Sequence, residues 1–417
     1  MRNRTDRLKK VTHLPKSPDT AIEQAADAVE LFDGSRLTQA RQLAALTKRA
    51  LAELVGVSPA AIGQYESGAI RPRPDLAMRL AEALSVPVRF FAFSPGRPRA
   101  SIDASMAHFK CLRSTRAYER ERAAAFASRI SEVGQALERH VRLPAVDLPG
   151  WAGGEVVPEL PVSPAAAARE LRRRWSLGTG PIPHMVRLLE SRGVVVCVLP
   201  FSEAERVRAF SSSRLPRPVV VLTNDRSDVY RQRFSAAHEL GHLVMHGEAR
   251  PGDIENERAA DNFAAEFLMP SSSISSDLPA RVDFKTYVRL QESWGVSVDA
   301  LLYRSRELGL LSDAPYRRAW QRLADFRSNG ILTPESIEGY PGERPVLLMR
   351  ALDIARQRGL TIEKLAAGLD LYEETVRLYL GAEEEQLPEV SFVDFVARRR
   401  IEPATGLTTQ MSAAKGE

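Results

Sequence analysis

Residues 234–246 read Phe234-Ser-Ala-Ala-His238-Glu239-Leu-Gly-His242-Leu-Val-Met-His246. In a helix, imidazoles at this spacing lie one above the other on a single face, which is the reach a tetrahedral Zn²⁺ demands of two ligands. The glutamate after the first histidine then points at a water on that metal, the arrangement of metal-assisted hydrolysis. Phe234, Ala236, Ala237, Leu240, Leu243 and Val244 surround the motif with apolar side chains, so the helix is expected to be buried. Polar groups buried there need a partner, and a metal ion is one.

Catalytic zinc usually takes three protein ligands and keeps one position open. His246 follows His242 by one turn and would share the metal only if one ion spanned three turns of a single helix, so it is read as a supporting or core histidine. Asp253 and Glu255 fall in the loop after Gly247 and Gly252. Glu257-Arg-Ala-Ala-Asp261-Asn-Phe-Ala-Ala-Glu266-Phe-Leu-Met-Pro270 reads as a second helix, stopped by the proline. At ~100° per residue, Glu257 and Asp261 share a face and Glu266 lies half a turn away from Glu257. The angular spacing selects Glu257 as third ligand, Asp261 as the acceptor that orients a ligating histidine, and Glu266 as a surface or structural carboxylate.

The elements that must position these groups form a mixed α/β pattern. Pro164 to Trp175 and Pro183 to Arg192 read as helices, while Gly193 to Leu199, Val207 to Ser211 and Pro218 to Leu222 read as strands. Asp225 to Arg233 leads into the metal helix. A free sheet edge beside the metal is expected to hold an extended substrate by main-chain pairing.

Two stretches carry a resemblance: Arg231-Gln-Arg-Phe-Ser-Ala-Ala-His238-Glu-Leu-Gly-His242-Leu-Val-Met-His and Glu257-x-x-x-Asp261-x-Phe-Ala-Ala-Glu-Phe-Leu-Met-Pro270. Together with the preceding strands, over residues 165–310, they resemble the ImmA/IrrE family of zinc metallopeptidases. The resemblance implies an α+β, zincin-like (gluzincin) domain with Zn²⁺ as cofactor. It also implies His238, His242 and Glu257 as ligands, Glu239 as general base, and helix-turn-helix repressors as the natural substrate class.

The front of the chain is all-helical in pattern. Helices are expected at Arg36 to Ala45, Thr47 to Val55, Ser58 to Ser67 and Asp75 to Leu84. Thr47 and Ser58 are N-cap candidates, Pro59 suits a first helical position, and Gly56 ends the second helix. Leu46, Leu51, Leu54, Val57, Ile62 and Tyr65 recur at helical spacing as a small core. The run Leu46-Thr47-x-x-x-Leu51-Ala52-x-x-Val55-Gly56-Val57-Ser58-x-x-x-Ile62-x-x-Tyr65-Glu66-x-Gly68 resembles the phage-repressor-like (XRE) DNA-binding family over residues 34–92. That resemblance implies a recognition helix from Pro59 to Ser67, with Ala60, Ala61 and Gln64 facing base edges of a double-stranded operator. Thr47, Lys48, Ser58, Ser67, Arg71 and Arg73 are candidate backbone contacts. Lys48 stands where the family commonly has Gln.

The rest of the chain bounds these readings. With 44% hydrophobic and 27% charged residues the sequence is globular and long enough for several domains. It has no run apolar enough for a membrane helix, and its start lacks a signal-like apolar core, so the cytoplasm is the expected compartment. Cys111 and Cys197 are the only cysteines and lack metal-ligand spacing, which excludes a disulfide framework or a thiolate zinc site. The net charge of +5 reflects a basic surplus in residues 31–150, where a polyanionic partner is expected.

The expected organisation is an N-terminal arm at 1–33, the helix-turn-helix domain at 34–92, a linker with a long helix at 93–163, the metallopeptidase domain at 164–312, and a helical C-terminal region at 313–417. The linker opens on a joint at Pro95 and Pro98, and its helix, Thr115 to His140, is either a homodimer seam or a packed part of its own domain. In the C-terminal region Leu360, Thr361, Leu365, Ala366, Leu371, Val376 and Tyr379 repeat the order of Leu46, Thr47, Leu51, Ala52, Val57, Ile62 and Tyr65. Asp370 replaces the turn glycine, and Glu373 and Glu374 would repel DNA. Trp294-Gly-Val-Ser297 is a weaker echo, and residues 402–417 carry no pattern. Two functions follow: a regulator that hydrolyses a repressor-type protein, itself or its own partner, or a non-catalytic regulator whose peptidase-like domain is a sensor or structural module.

Overall fold

A computed structural model describes residues 18–93, 108–111, 117–153, 155–156, 159–199, 207–223, 228–246 and 253–381. The Pro95 and Pro98 joint and residues 402–417 lie outside them. The chain divides into two compact units, Met1–Arg41 with Leu46–Arg97, and Gln42–Ala45 with Pro98–Glu417.

The first unit is a bundle of short helices: α1 (Pro18–Glu30), α2 (Gly34–Leu43), α3 (Lys48–Val55), α4 (Pro59–Glu66) and α5 (Pro74–Ala83). Local chemistry sets its turn. Thr47 Oγ1 accepts from the Ala50 amide at 3.1 Å, Ser58 Oγ accepts from the Ala61 amide at 3.1 Å, and Gly56 takes the left-handed conformation between them at φ 69°. Leu51, Ala52, Val55 and Ile62 fill the space between α3 and α4. Leu54, expected among them, is 37% exposed, because Leu51, Ala52 and Val55 already define the buried face and Leu54 falls at its margin. Residues 18–30 form α1, whose Ala25 and Ala28 are buried and which packs on α5.

The second unit is built on a four-stranded sheet with β1 (His108–Cys111), β4 (Val195–Val198), β5 (Val207–Ser212) and β6 (Val219–Leu222) in the order β1-β5-β6-β4, beside a separate hairpin of β2 (Trp151–Ala152) and β3 (Glu155–Val156). β4 and β6 run parallel, while β5 is antiparallel to both β6 and β1. The β5 edge away from β6 is paired to β1. Helix α9 (Val229–Met245) packs on β5 and β6, and α10 (Ile254–Leu268) packs on α9 and on α7 (Pro164–Arg174). A single apolar core joins Val196, Ala209, Val220, Ala236, Leu240, Phe263 and Phe267.

Helix α6 (Ala117–Glu138), in the linker expected at 93–163, follows the second of the two readings open for it. It is buried along most of its length and packs on the sheet and on three C-terminal helices, α15 (Leu347–Arg356), α16 (Ile362–Leu369) and α17 (Glu373–Tyr379). Its charged residues disguised this: Arg129 and Glu132 are both within 2% of full burial because they pair with each other at 2.5 Å. The C-terminal region is tied to the same unit by reciprocal caps. Glu343 accepts from the Met185 and Val186 amides at the start of α8 (Met185–Ser191), and Glu190 on α8 accepts from the Val346 and Leu347 amides that open α15. The helix-turn-helix echo is present in geometry: Thr361 caps α16, and Asp370 occupies the left-handed turn at φ 49°. Asp tolerates that conformation better than most residues. The pair packs on α6, with Tyr379 edge-on to Phe126. Between them lie α11 (Ser271–Asp277), α12 (Phe284–Trp294), α13 (Val298–Glu307) and α14 (Asp313–Ser328).

Candidate functional site

Helix α9 starts on Asp228, whose carboxylate accepts from the Arg231 amide at 3.0 Å. Arg233 then anchors it by donating to the Gly295 and Pro183 carbonyls and to the buried Glu343 carboxylate. His238, Glu239 and His242 follow on a stretch that is at most 1% exposed. Gly241 lets the second helix come close: a Cβ there would lie 3.0 Å from the Phe263 ring and 3.4 Å from the Ala260 Cα. That approach brings Glu257, one turn into α10, over the histidines.

The three side chains converge. His238 Nε2 and His242 Nε2 are 3.0 Å apart, and the two Glu257 carboxylate oxygens lie 3.4 Å from one and 3.4 Å from the other. One ligating atom from each falls within 4.8 Å of the others, the only such group of His, Cys, Asp or Glu among the described residues. Ligands ~2.1 Å from a tetrahedral ion sit ~3.4 Å apart, so the spacing fits one small cation. Tautomers point the same way. Asp261 Oδ1 is 2.7 Å from His238 Nδ1 and can only accept, which puts the ring proton on Nδ1 and a lone pair on Nε2. His246 Nδ1 is 3.0 Å from His242 Nδ1, and with His242 as the donor of that hydrogen bond its Nε2 is free likewise. Two lone pairs and a carboxylate facing one point could hold a cation. Burial pushes the Glu257 carboxyl up, but when the two imidazoles are protonated their hydrogen bonds and charge outweigh it and hold the group well below the usual carboxylate range.

Glu239 lies beside this cluster, and its Oε2 accepts from Ser211 Oγ on β5 at 2.8 Å. Ser211 is fully buried and was not singled out by sequence; nothing local distinguishes it from Ser212 or Ser213, since its role depends on the packing of β5 against α9. Asp253 and Glu255 stay apart from the cluster, Asp253 as the N-cap of α10. Glu266 is 1% exposed and structural: it pairs with Arg304 and, at 3.0 Å, with Arg169, and accepts from the Ser271 amide at 3.3 Å. Cys197 is buried in β4, and burial pushes its thiol up.

In the first unit Ala60 and Gln64 are exposed on α4, with Ala61 half-buried between them. Thr47, Lys48, Ser58, Ser67 and Arg71 are exposed around that helix. Thr47 and Ser58 spend a lone pair on capping, Ser67 Oγ donates to the Gln64 carbonyl at 3.1 Å, and Arg71 donates to the Glu30 carbonyl at 2.8 Å. Lys48 Nζ lies 3.3 Å from Glu66, which also holds Arg41. Arg73, exposed, precedes α5.

Two family models match the chain. The helix-turn-helix model covers residues 37–91, and the IrrE N-terminal-like domain covers residues 189–306. No curated relative matches it. The chain thus joins an XRE-type helix-turn-helix to an ImmA/IrrE-like domain of metallopeptidase type. The combination is that of a DNA-binding transcription regulator carrying a peptidase-like module. Among the described residues, no helix is long and apolar enough to cross a membrane.

Proposed function

We propose that this cytoplasmic regulator hydrolyses a repressor-type protein at a Zn²⁺ site formed by His238, His242 and Glu257, in a peptidase domain spanning 164–312. The observation that carries the reading is the convergence of the two Nε2 atoms and the Glu257 carboxylate, 3.0 to 3.4 Å apart, beside Glu239. When bound, zinc supplies a Lewis acid that polarises a water and the scissile carbonyl. Glu239 takes the proton of that water and passes it to the leaving nitrogen. Ser211 holds the Glu239 carboxylate in place by its 2.8 Å hydrogen bond. Asp261 and His246 keep the ring protons on the outer nitrogens of the two ligating histidines.

The helix-turn-helix, at 34–92, brings this domain to an operator. α4 enters the major groove, Gln64 reads an adenine, and Ala60 and Ala61 touch thymine methyl groups. Thr47, Lys48, Ser58, Ser67 and Arg71 bind phosphates and set register. A homodimer reads two half-sites. The test is incubation of the zinc-loaded protein with helix-turn-helix repressors, read by mass. Cleavage abolished by a chelator supports the peptidase. Zinc and operator binding without cleavage of any repressor supports the alternative, a non-catalytic regulator whose peptidase-like domain senses a ligand or holds shape.

A further inference from the structure

β5 is the strand that carries Ser211, and Ser211 holds Glu239, so a strand paired to the side of β5 away from β6 lies one strand spacing from the residue that holds the general base. An extended peptide bound by strand addition would pair along such an edge, its main-chain groups taking the ladder bonds. That edge is occupied by the chain itself. β1 runs antiparallel to β5, with His108 opposite Ser211, Phe109 opposite Phe210 and Lys110 opposite Ala209. The register shifts between Lys110 and Cys111, so regular pairing holds at the end beside Ser211 and gives way at the other. In the sequence β1 lies after the helix-turn-helix match, which ends at 91, and before the IrrE-like match, which starts at 189.

The geometry points to a second activity: the chain hydrolyses its own connector within His108–Cys111, releasing the DNA-binding portion from the peptidase domain. The inference rests on the proposed peptidase function, and names a substrate segment for that same site. The oxygen of a water bonds to a carbonyl carbon of β1 and the C–N bond breaks. The N-terminal fragment gains a carboxylate, and the proton carried by Glu239 completes the new amine of the C-terminal fragment. Water is the only co-reactant. Because the strand is already paired in the same chain, the reaction is unimolecular and its rate constant does not depend on protein concentration.

The experiment uses the full chain loaded with Zn²⁺, followed by intact mass and by sequencing of the new terminus, with denatured casein as a separate probe of peptidase activity. The expected result is a pair of fragments joined within residues 108–111, formed at a rate independent of concentration and absent in Glu239→Gln. Phe109→Pro, which removes an amide and disrupts strand pairing, is expected to slow self-cleavage at least tenfold while casein hydrolysis persists. Casein cleaved with the connector intact, or the connector cut outside 108–111, overturns the inference and leaves the peptidase standing. Self-cleavage as fast in Phe109→Pro as in wild type overturns the pairing with β5 as its cause. Zinc-loaded protein that cleaves neither overturns this inference, and the peptidase reading then stands or falls on cleavage of a helix-turn-helix repressor.

Discussion

Asp261 Oδ1 on α10 lies 2.7 Å from Nδ1 of His238 on α9, so the residue that orients one ligating ring comes from the helix that also carries Glu257. A single helix–helix contact, made close by Gly241, thereby sets both a ligand and its support. Losing the orienting carboxylate leaves the ring free to turn and to change tautomer.

Asp261→Ala is therefore expected to weaken zinc by ~10–100-fold, the usual cost of losing such a partner. The Asp261 side chain is 48% exposed, so stability should hardly move. Competition against a chromophoric chelator measures the affinity; a change below threefold would show that the contact does not orient His238.

Acidification tests Glu257. Its carboxyl is depressed below the ordinary 4.5, so it remains ionised throughout the range from neutrality down to that pH, and its contribution is lost only below it. Zinc release on lowering pH should then follow competition by protons for the imidazoles. Glu257→Gln should weaken zinc at neutral pH and raise the pH at which half the zinc is released, because protons compete with a weaker site. An unchanged affinity and an unchanged midpoint would contradict the assignment.

Glu266 tests the scaffold under the site. Its carboxylate neutralises Arg304, which is 2% exposed, and Glu266→Ala strands that charge. The expected loss is about 3 kcal/mol, at the low end for a broken buried pair because Glu307 and the Met269 carbonyl still accept from Arg304. Denaturant unfolding of the second unit reads it, and a loss under about 1 kcal/mol would mean that water reaches the arginine.

On DNA, Gln64→Ala and Lys48→Ala should differ in kind. The first should cost about 1–3 kcal/mol on a duplex selected by the wild type and relax its sequence preference. The second should weaken all duplexes alike and lower the salt slope by about 1. Titrations at several salt concentrations separate them; equal effects on selected and scrambled duplexes for Gln64→Ala would remove it from base readout.

What could be read from sequence was what depends on local spacing. His238, Glu239 and His242 announce themselves because one helix face imposes their separation, and Glu257 and Asp261 fall out of the angular step along α10. Thr47, Gly56, Ser58 and Thr361 mark turns because capping is decided within three residues. Ser211 could not be read, because its partner Glu239 is on another element and the hydrogen bond exists only after β5 packs on α9. α6 stayed open between a seam and a packed helix because Arg129 and Glu132 look like a solvated face until their mutual pairing is seen. β1 is only four residues long, too short for alternation to declare it, and it pairs along the β5 edge away from β6.

The central claim, that α9 and α10 form a hydrolytic zinc site with Glu239 as its base, is tested most directly by Glu239→Gln assayed for zinc content and for cleavage of a helix-turn-helix repressor in one preparation. The expected result is one zinc per chain, as in wild type, with cleavage lowered by at least a hundredfold. A variant that holds zinc and still cleaves at the wild-type rate would contradict it.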